Sequence, residues 1–317
     1  MDIFNSIDEA SDTLLHDSST YVCIGNFDGC HLGHQKLISN IVQSAQNQQI
    51  RTSILTFDPS PKIFFNPNQA KRNLFSHAQK LEAFKELGVD CVIVQSFTKD
   101  FSRLNPAEFV DYLLKLNCSK VFVGSNFRFG ANRKGTIEYL RTFNELFEVV
   151  ALSIETVNKK VVSSTRVREL IDKGQMKDAS ALLGRPYCLS GKIVKGLQVG
   201  RTISFPTANL EAEEMLPKKG VYCGYISLGK SKTLKPNLRN AHKAIFNVGV
   251  RPTIASDGKT SIEGHALDMK WEEEELYGHQ ANFYLLEFLR PEIEFKDLEN
   301  LKDQIIQDSI KARSILL

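Results

Sequence analysis

A parallel α/β sheet followed by an antiparallel β-structure is what the order of apolar runs along these 317 residues predicts. Three observations carry that expectation. Up to about residue 184, short apolar runs alternate with helical patterns, which requires a parallel sheet covered on both faces. Beyond it, strand-like runs follow one another with Gly and Pro in the gaps, as in an antiparallel barrel or sandwich. The change falls at Gly184-Arg185-Pro186, so two domains are expected, 1–183 and 184–317.

In the first part the strands are expected at residues 21–24, 52–57, 91–95, 120–123 and 149–154. Between them, Leu81, Phe84 and Leu87 recur at near-helical spacing and Gly88 follows as a stop. Phe109, Leu113 and Leu116 repeat the pattern, entered through Pro106. Residues 165–183 read as two short helices broken near Gly174. The second part offers strands at 187–195, 221–227, 243–248, 261–269 and 280–289. A closing helix is expected with Leu298, Leu301, Ile305 and Ile310 as its apolar stripe.

Composition narrows the class. Hydrophobic residues make up 42% and charged residues 24%, the balance of a soluble globular protein. A net charge of +3 argues against a nucleic-acid binder. The N-terminus has no signal-peptide pattern and no run is long enough to span a bilayer, so the cytoplasm is the expected compartment. Cys23, Cys30, Cys91, Cys118, Cys188 and Cys223 form no C-x-x-C pair and read as buried reduced thiols.

Chemistry concentrates in two places. The first is the run from Gly25 to His34, GNFDGCHLGH, directly after an apolar strand. A strand ending in a glycine-rich turn that opens a helix, here near His34, presents backbone N–H groups to an anion. His31 and His34 are three apart, so both imidazoles can face one side and stabilise charge on a phosphate. A capped loop with surface histidines, or a metal pair lacking its third ligand, are the alternatives; the length of the run after a strand favours the phosphate. A second cluster, Ser163-Ser164-Thr165-Arg166-Val167-Arg168, makes a strong N-cap. Its arginines oppose the helix dipole, which a bound polyanion would explain and solvated side chains would explain equally well.

The second place is Gly200-Arg201-Thr202-Ile203-Ser204-Phe205-Pro206-Thr207-Ala208-Asn209. In an extended segment Thr207 and Asn209 face the same way, and two hard oxygens suit Mg²⁺ shared with nucleotide phosphates. Gly196, Gly200 and Arg201 flank them as a phosphate loop would, although no Walker GK[ST] follows. An ordinary β-turn is the simpler account of this piece alone. Glu263, far downstream, supplies a carboxylate that can take a proton.

Taken together these motifs resemble a known family. GNFDGCHLGH and SSTRVR look like the signatures of the nucleotidyltransferase superfamily. With Thr56-Phe57-Asp58-Pro59-Ser60-Pro61 and Val123-Gly124-Ser125-Asn126-Phe127-Arg128-Phe129-Gly130, they resemble the prokaryotic bifunctional riboflavin kinase/FAD synthetase. The motifs PTAN, Gly220-Val221-Tyr222, Asn247-Val248-Gly249-Val250-Arg251-Pro252-Thr253, Glu263-Gly264-His265, Leu276-Tyr277-Gly278 and Leu289-Arg290 are similar to its kinase motifs, in order, over nearly the whole chain.

The resemblance implies a Rossmann-like FMN adenylyltransferase over 1–183 and a six-stranded riboflavin kinase barrel with a terminal helix over 184–317. It implies ATP and Mg²⁺ at both steps, with riboflavin, FMN and FAD as substrates and products. By that likeness Glu263 is the kinase base, and His31, His34 and Arg168 act on the transferring phosphate. ATP and its phosphates fall to Gly25, Asn26, Phe27, Asp28, Gly33, Ser163, Ser164, Thr165, Arg166, Gly196, Gly200 and Arg201. The flavins fall to Asp58, Asn126, Phe127, Arg128, Tyr277 and Arg290, and the metal to Thr207 and Asn209. His265 is expected to be structural. The partners implied are small molecules, with neither nucleic acid nor membrane; homo-oligomerisation is left open.

Three positions depart from the family pattern. Asn126 stands for an aspartate, Ser204 for a glycine and Met269 for an aromatic. Asn126 keeps the shape and one acceptor but not the charge. The chemistry fits the residue types. FMN's phosphate has a second pKa of about 6 and attacks already ionised. Riboflavin's 5′-hydroxyl is neutral, and a base helps it. The acidic run at 272–275 rivals Glu263 for that role but reads as a solvated turn.

Overall fold

The computed structural model describes residues 1–14, 19–67, 72–153, 155–157, 160–195, 205–229, 234–250, 260–269 and 276–316. Contacts divide the chain into two compact units: Met1–Lys71 with Lys80–Val162, and Arg72–Gln79 with Ser163–Leu317. The second unit therefore takes a short segment from the first half of the sequence, and residues 163–183 as well.

The first unit is built on six parallel strands: β1 (Asp2–Phe4), β2 (Thr20–Ile24), β3 (Arg51–Asp58), β4 (Cys91–Ser96), β5 (Cys118–Gly124) and β6 (Glu148–Leu152). Their order across the sheet is β1-β4-β3-β2-β5-β6. Every residue of β2 is buried, as the unbroken apolar run requires. The helices are α1 (Ile7–Leu14), α2 (Leu32–Gln46), α3 (Pro61–Phe65), α4 (His77–Glu86), α5 (Pro106–Lys115) and α6 (Ile137–Arg141). Helix α5 starts where Pro106 foretold, and Asn105 and Glu108 close a capping box around it. The five expected strands are present, the first four with slightly longer bounds; the fifth runs from Glu148 to Leu152, short of Ser153, and Ile154 lies outside the described residues.

Two elements at the N-terminus went unanticipated. Strand β1 has three residues and pairs with β4 at the sheet edge. Helix α1 buries Ile7, Ala10 and Leu14 in the core, at the spacing of one helical face. Such short elements carry too few apolar residues to stand out before their partners are known. A small hairpin of β7 (Thr156–Val157) and β8 (Lys160–Val161) follows the sheet.

In the second unit come α7 (Ser164–Asp172) and α8 (Met176–Leu183), then β9 (Tyr187–Val194), β10 (Ala208–Ala212), β11 (Gly220–Leu228), β12 (His242–Val250), β13 (Thr260–Ala266), β14 (Gln280–Arg290) and α9 (Leu298–Ile315). The six strands close in the order β10-β13-β12-β11-β14-β9, so the barrel is realised and the sandwich is not. Strand β10 is additional to the expected runs, because its Ala208-Asn209 start reads as a turn.

The terminal helix forms, but its apolar stripe is turned. Leu298 and Ile310 are 53% and 58% exposed. Ile305 of the expected stripe does pack on the barrel, joined by Ala312 and Ile315. The cause is Asp308, buried on that face and held by Arg290 of β14 through Nε at 3.0 Å and Nη2 at 2.7 Å. A buried carboxylate with a forked partner sets the helix rotation against the simple hydrophobic pattern. All six cysteines are free and buried, and burial pushes the Cys118 and Cys188 thiols up to about 12.

Candidate active sites

In the first unit the sheet order reverses about β2, which lies between β3 and β5. Ligands of open α/β sheets bind beyond the carboxyl ends of strands at such a point. Gly25 follows β2, Asp58 ends β3 and Asn126 lies just past β5, so three candidate segments converge there.

The turn is tightly determined. Phe27 and Cys30 take positive φ of 50° and 36°. The Phe27 ring folds back over Gly25, where an added Cβ would meet Phe27 Cζ at 2.9 Å. Glycine is therefore required at 25 for close approach. Phe27 is buried and Asp28 is 7% exposed. Phe27 also meets the His34 ring edge-on at 5.3 Å.

Helix α2 begins at Leu32, two residues earlier than expected, because His31 is its N-cap. The His34 N–H donates to His31 Nδ1 at 3.3 Å. With Nδ1 accepting, the proton of a neutral His31 sits on Nε2. The His31 and His34 rings stack at 3.6 Å. Two imidazoles and the first N–H groups of a 15-residue helix thus share one end.

Asn126 and Arg128 are exposed and Phe127 half-buried. The turn is held by the Phe127 N–H donating to Gly124 O at 2.9 Å. Phe127 stacks on Phe129 at 5.6 Å. An aromatic array that the sequence reading passed over lies in the same unit. Phe97 makes edge contacts with Phe57, Phe64, Phe65 and Phe101 at 5.3–5.8 Å. Phe65 is 61% exposed. The available signal was Phe64-Phe65 just beyond the TFDPSP strand end.

Ser163, Ser164, Thr165, Arg166 and Arg168 belong by contacts to the second unit. The expected N-cap is present: Ser163 Oγ accepts from the Arg166 N–H at 3.3 Å.

The barrel site is built on its outer wall. A Cβ on Gly264 would meet Ile226 Cδ1 at 2.8 Å and Phe283 at 3.0 Å, so residue 264 faces the packed interior. Alternation along β13 then turns Glu263 and His265 outward. Asn209 of β10 lies directly opposite Glu263, and Asn247 of β12 opposes it on the other side. The Thr207 hydroxyl donates to Glu263 Oε2 at 3.5 Å. Asn209 is only 3% exposed, and its Oδ1 has no hydrogen-bond partner among the described residues.

His265 does more than fill space. Its Nδ1–H donates to Pro206 O at 2.8 Å and its ring meets Phe205 at 5.2 Å. That pins the segment carrying Thr207 onto β13. Burial lowers the His265 pKa, which keeps the ring neutral. Tyr277 is half-buried just before β14, while Arg290 is committed to Asp308. Gly196, Gly200, Arg201, Ser204, residues 251–253 and the acidic run at 272–275 lie outside the described residues.

Comparison with known proteins now assigns an activity to each half of the sequence. Residues 14–166 match the family model described as FAD synthetase, and 183–316 the one described as riboflavin kinase. A bifunctional riboflavin kinase/FMN adenylyltransferase of Listeria monocytogenes is 34% identical, over 94% of this chain and 93% of its own. The chain belongs to the bifunctional riboflavin kinase/FMN adenylyltransferase family. An Escherichia coli relative of the same description is also 34% identical, over 92% of this chain and 90% of its own. A solved Streptococcus pneumoniae structure described as a macrolide-efflux protein superposes with a TM-score of 0.83 at 29% identity, covering 96% of each chain. Among the described residues no helix is long and apolar enough to cross a membrane. The family's two ATP-dependent activities, riboflavin to FMN and FMN to FAD, are those of this chain, with the kinase in the C-terminal family match.

Proposed function

We propose that riboflavin is phosphorylated on the outer wall of the barrel, with Glu263 as base, and that FMN is adenylylated at the carboxyl ends of β2, β3 and β5. One observation carries the first assignment. Thr207 Oγ1, Asn209 Oδ1 and the Glu263 carboxylate share one face, and the Asn209 oxygen is buried without a hydrogen-bond partner among the described residues. Leaving such an oxygen unsatisfied is costly, and a hard cation would satisfy it.

Thr207 and Asn209 therefore fit Mg²⁺, which when bound would neutralise charge on the ATP phosphates. Glu263 would take the proton of the riboflavin 5′-hydroxyl as that oxygen attacks the γ-phosphorus and ADP leaves. His265, through Pro206, would keep the Thr207 hydroxyl at the carboxylate. Tyr277 would flank the flavin, and Arg290 would brace the wall through Asp308.

At the other site no base is needed. An FMN phosphate oxygen attacks the α-phosphorus of ATP and pyrophosphate leaves. His31 Nε2–H, His34 and the first amides of α2 would donate to the α-phosphate. Asn126, Phe127, Arg128 and Asp58, with the exposed Phe65, would hold the flavin. A phosphate role for Ser163 to Arg168 rests on the motif alone.

The test is product analysis with the purified chain. Riboflavin with Mg-ATP gives FMN and then FAD, and Glu263→Gln blocks the first product while supplied FMN still becomes FAD. Flavin binding without turnover in the unmodified chain would sink the proposal.

A further inference from the structure

The rotation of α9 turns apolar side chains outward as well as inward. Asp308 and Ala312 are buried. At 3.6 residues per turn Ile306 points nearly the opposite way, and Ile310 lies one turn further along the same side. Both isoleucines are exposed. Glu299 and Arg313 stand seven residues before and after Ile306, nearly two full turns each way, so the three fall on one line along the helix. Both charged side chains are exposed. Lys302, also exposed, precedes Ile306 by the four residues that separate Ile306 from Ile310. Arg313 donates through Nη2 to Leu267 O, and its guanidinium has further N–H groups to give.

This face is symmetric about Ile306 in position and opposite in charge. A second copy of the helix, run antiparallel, therefore complements it at each of these positions. Ile306 meets the partner's Ile306. Glu299 lies opposite the partner's Arg313, twice over. The aliphatic stem of Lys302 covers the partner's Ile310, with its ammonium in water. A parallel pairing would set Glu299 against Glu299 and Arg313 against Arg313, and would align the helix dipoles unfavourably. We infer that the outer face of α9 is a self-association surface, on which two chains pair antiparallel about Ile306. Such a contact is isologous and closes at two copies. The 18 residues of α9 make a helix about 27 Å long. One face of it buries less than the roughly 1,200–2,000 Å² of a stable interface, so the dimer is weak and depends on concentration.

The experiment is sedimentation of the full-length chain from micromolar concentration up to about 1 mM, the weak end of specific association. The variants are Ile306→Lys, Glu299→Arg and Arg313→Glu, together with an equimolar mixture of the last two. Riboflavin phosphorylation and FAD formation in the same samples report on folding and should stay within about twofold, since α9's outer face is remote from either proposed reaction. The unsubstituted chain is expected to dimerise in this range. Ile306→Lys sets two ammonium groups face to face on the twofold axis. Each charge variant sets like charges across both pairs. All three should weaken the dimer by on the order of 10-fold. In the mixture every new charge faces an opposite one, and association should return to within about threefold of the unsubstituted chain.

A chain that stays monomeric throughout overturns the inference. So does a dimer that Ile306→Lys and Glu299→Arg leave unchanged, because it then forms through another surface. Charge variants that weaken the dimer but do not restore it when mixed rule out the antiparallel pairing. Should Arg313→Glu lose its kinase rate, salt decides in its place. Added NaCl should weaken the unsubstituted dimer and strengthen that of Glu299→Arg; a change of the same sign in both overturns the pairing.

Discussion

Asn209 and Glu263 face each other directly across the β10–β13 ladder, one a buried amide and the other a half-buried carboxylate. Directly opposed side chains lie close enough to act on one ligand. Glu263→Gln keeps the shape and one acceptor but cannot take a proton. FMN formation should fall by about 100- to 10,000-fold, the span of general-base effects. Conversion of supplied FMN to FAD should not change. A near-normal initial rate with riboflavin would move suspicion to the acidic run at 272–275.

His31 both caps α2 and presents Nε2, so His31→Ala should act twice. Loss of a preorganised donor lowers the FAD rate by about 100- to 1000-fold. Loss of the cap costs about 1 kcal/mol of stability. Arg168→Ala should also slow FAD formation, with FMN formation spared in both variants. Separate assays with riboflavin and FMN, and a thermal melt, distinguish the two effects.

Asn126 is exposed at the end of β5, where the family pattern has an aspartate. Asn126→Asp adds charge to an existing acceptor and should alter FMN affinity in the adenylylation step, leaving the kinase step unchanged. Titration of FMN fluorescence checks the affinity. Identical binding and turnover would show the asparagine to be neutral.

Glu214 predicts a pH dependence of stability. It is fully buried, with the Ser190 N–H donating to Oε2 at 3.3 Å, while Oε1 has no hydrogen-bond partner among the described residues. Burial raises its pKa from 4.5 to about 7. The folded state therefore holds the proton more tightly, and stability is lost as pH rises through this window. The shift corresponds to roughly 3 kcal/mol above pH 7. Glu214→Gln should flatten denaturant midpoints over that range. An unchanged slope would assign the pH dependence to other groups.

The second unit also bears on how the chain can be cut. A fragment beginning at Gly184 looks self-sufficient by sequence, with its own strands, helix and proposed metal ligands. It lacks Leu74, Phe75, Val167, Ile171 and Met176, all buried in the whole chain. Each large buried side chain contributes roughly 1.5–3 kcal/mol, and domains are stable by only about 5–15 kcal/mol. The 184–317 fragment should be largely unfolded, and starting at Val162 should recover part of the loss. Circular dichroism of both fragments decides it. A fully folded 184–317 fragment with normal kinase rate would show those contacts to be dispensable.

Strand ends and motifs were the legible part of both sites. An apolar run before GNFDG predicts a turn at a strand's carboxyl end, and that is where His31 and His34 stand. PTAN and Glu263 were nameable, but their opposition was not, since it depends on the β10–β13 register across more than fifty residues. The rotation of α9 was misread because a buried Asp308 has no sequence signature without Arg290.

The segment from Arg72 to Gln79 has a consequence for synthesis. Gln79 Nε2 donates to Cys188 O at 3.1 Å, a partner 109 residues further along. At ribosomal speeds of about 5–20 residues per second, that partner emerges some 5–20 s later. Until then the rest of the second unit, with which Leu74 and Phe75 belong, is unmade, and both side chains face water. A nascent chain paused before the barrel is made therefore carries a sticky strip in its middle, which a chaperone that binds short apolar stretches can recognise.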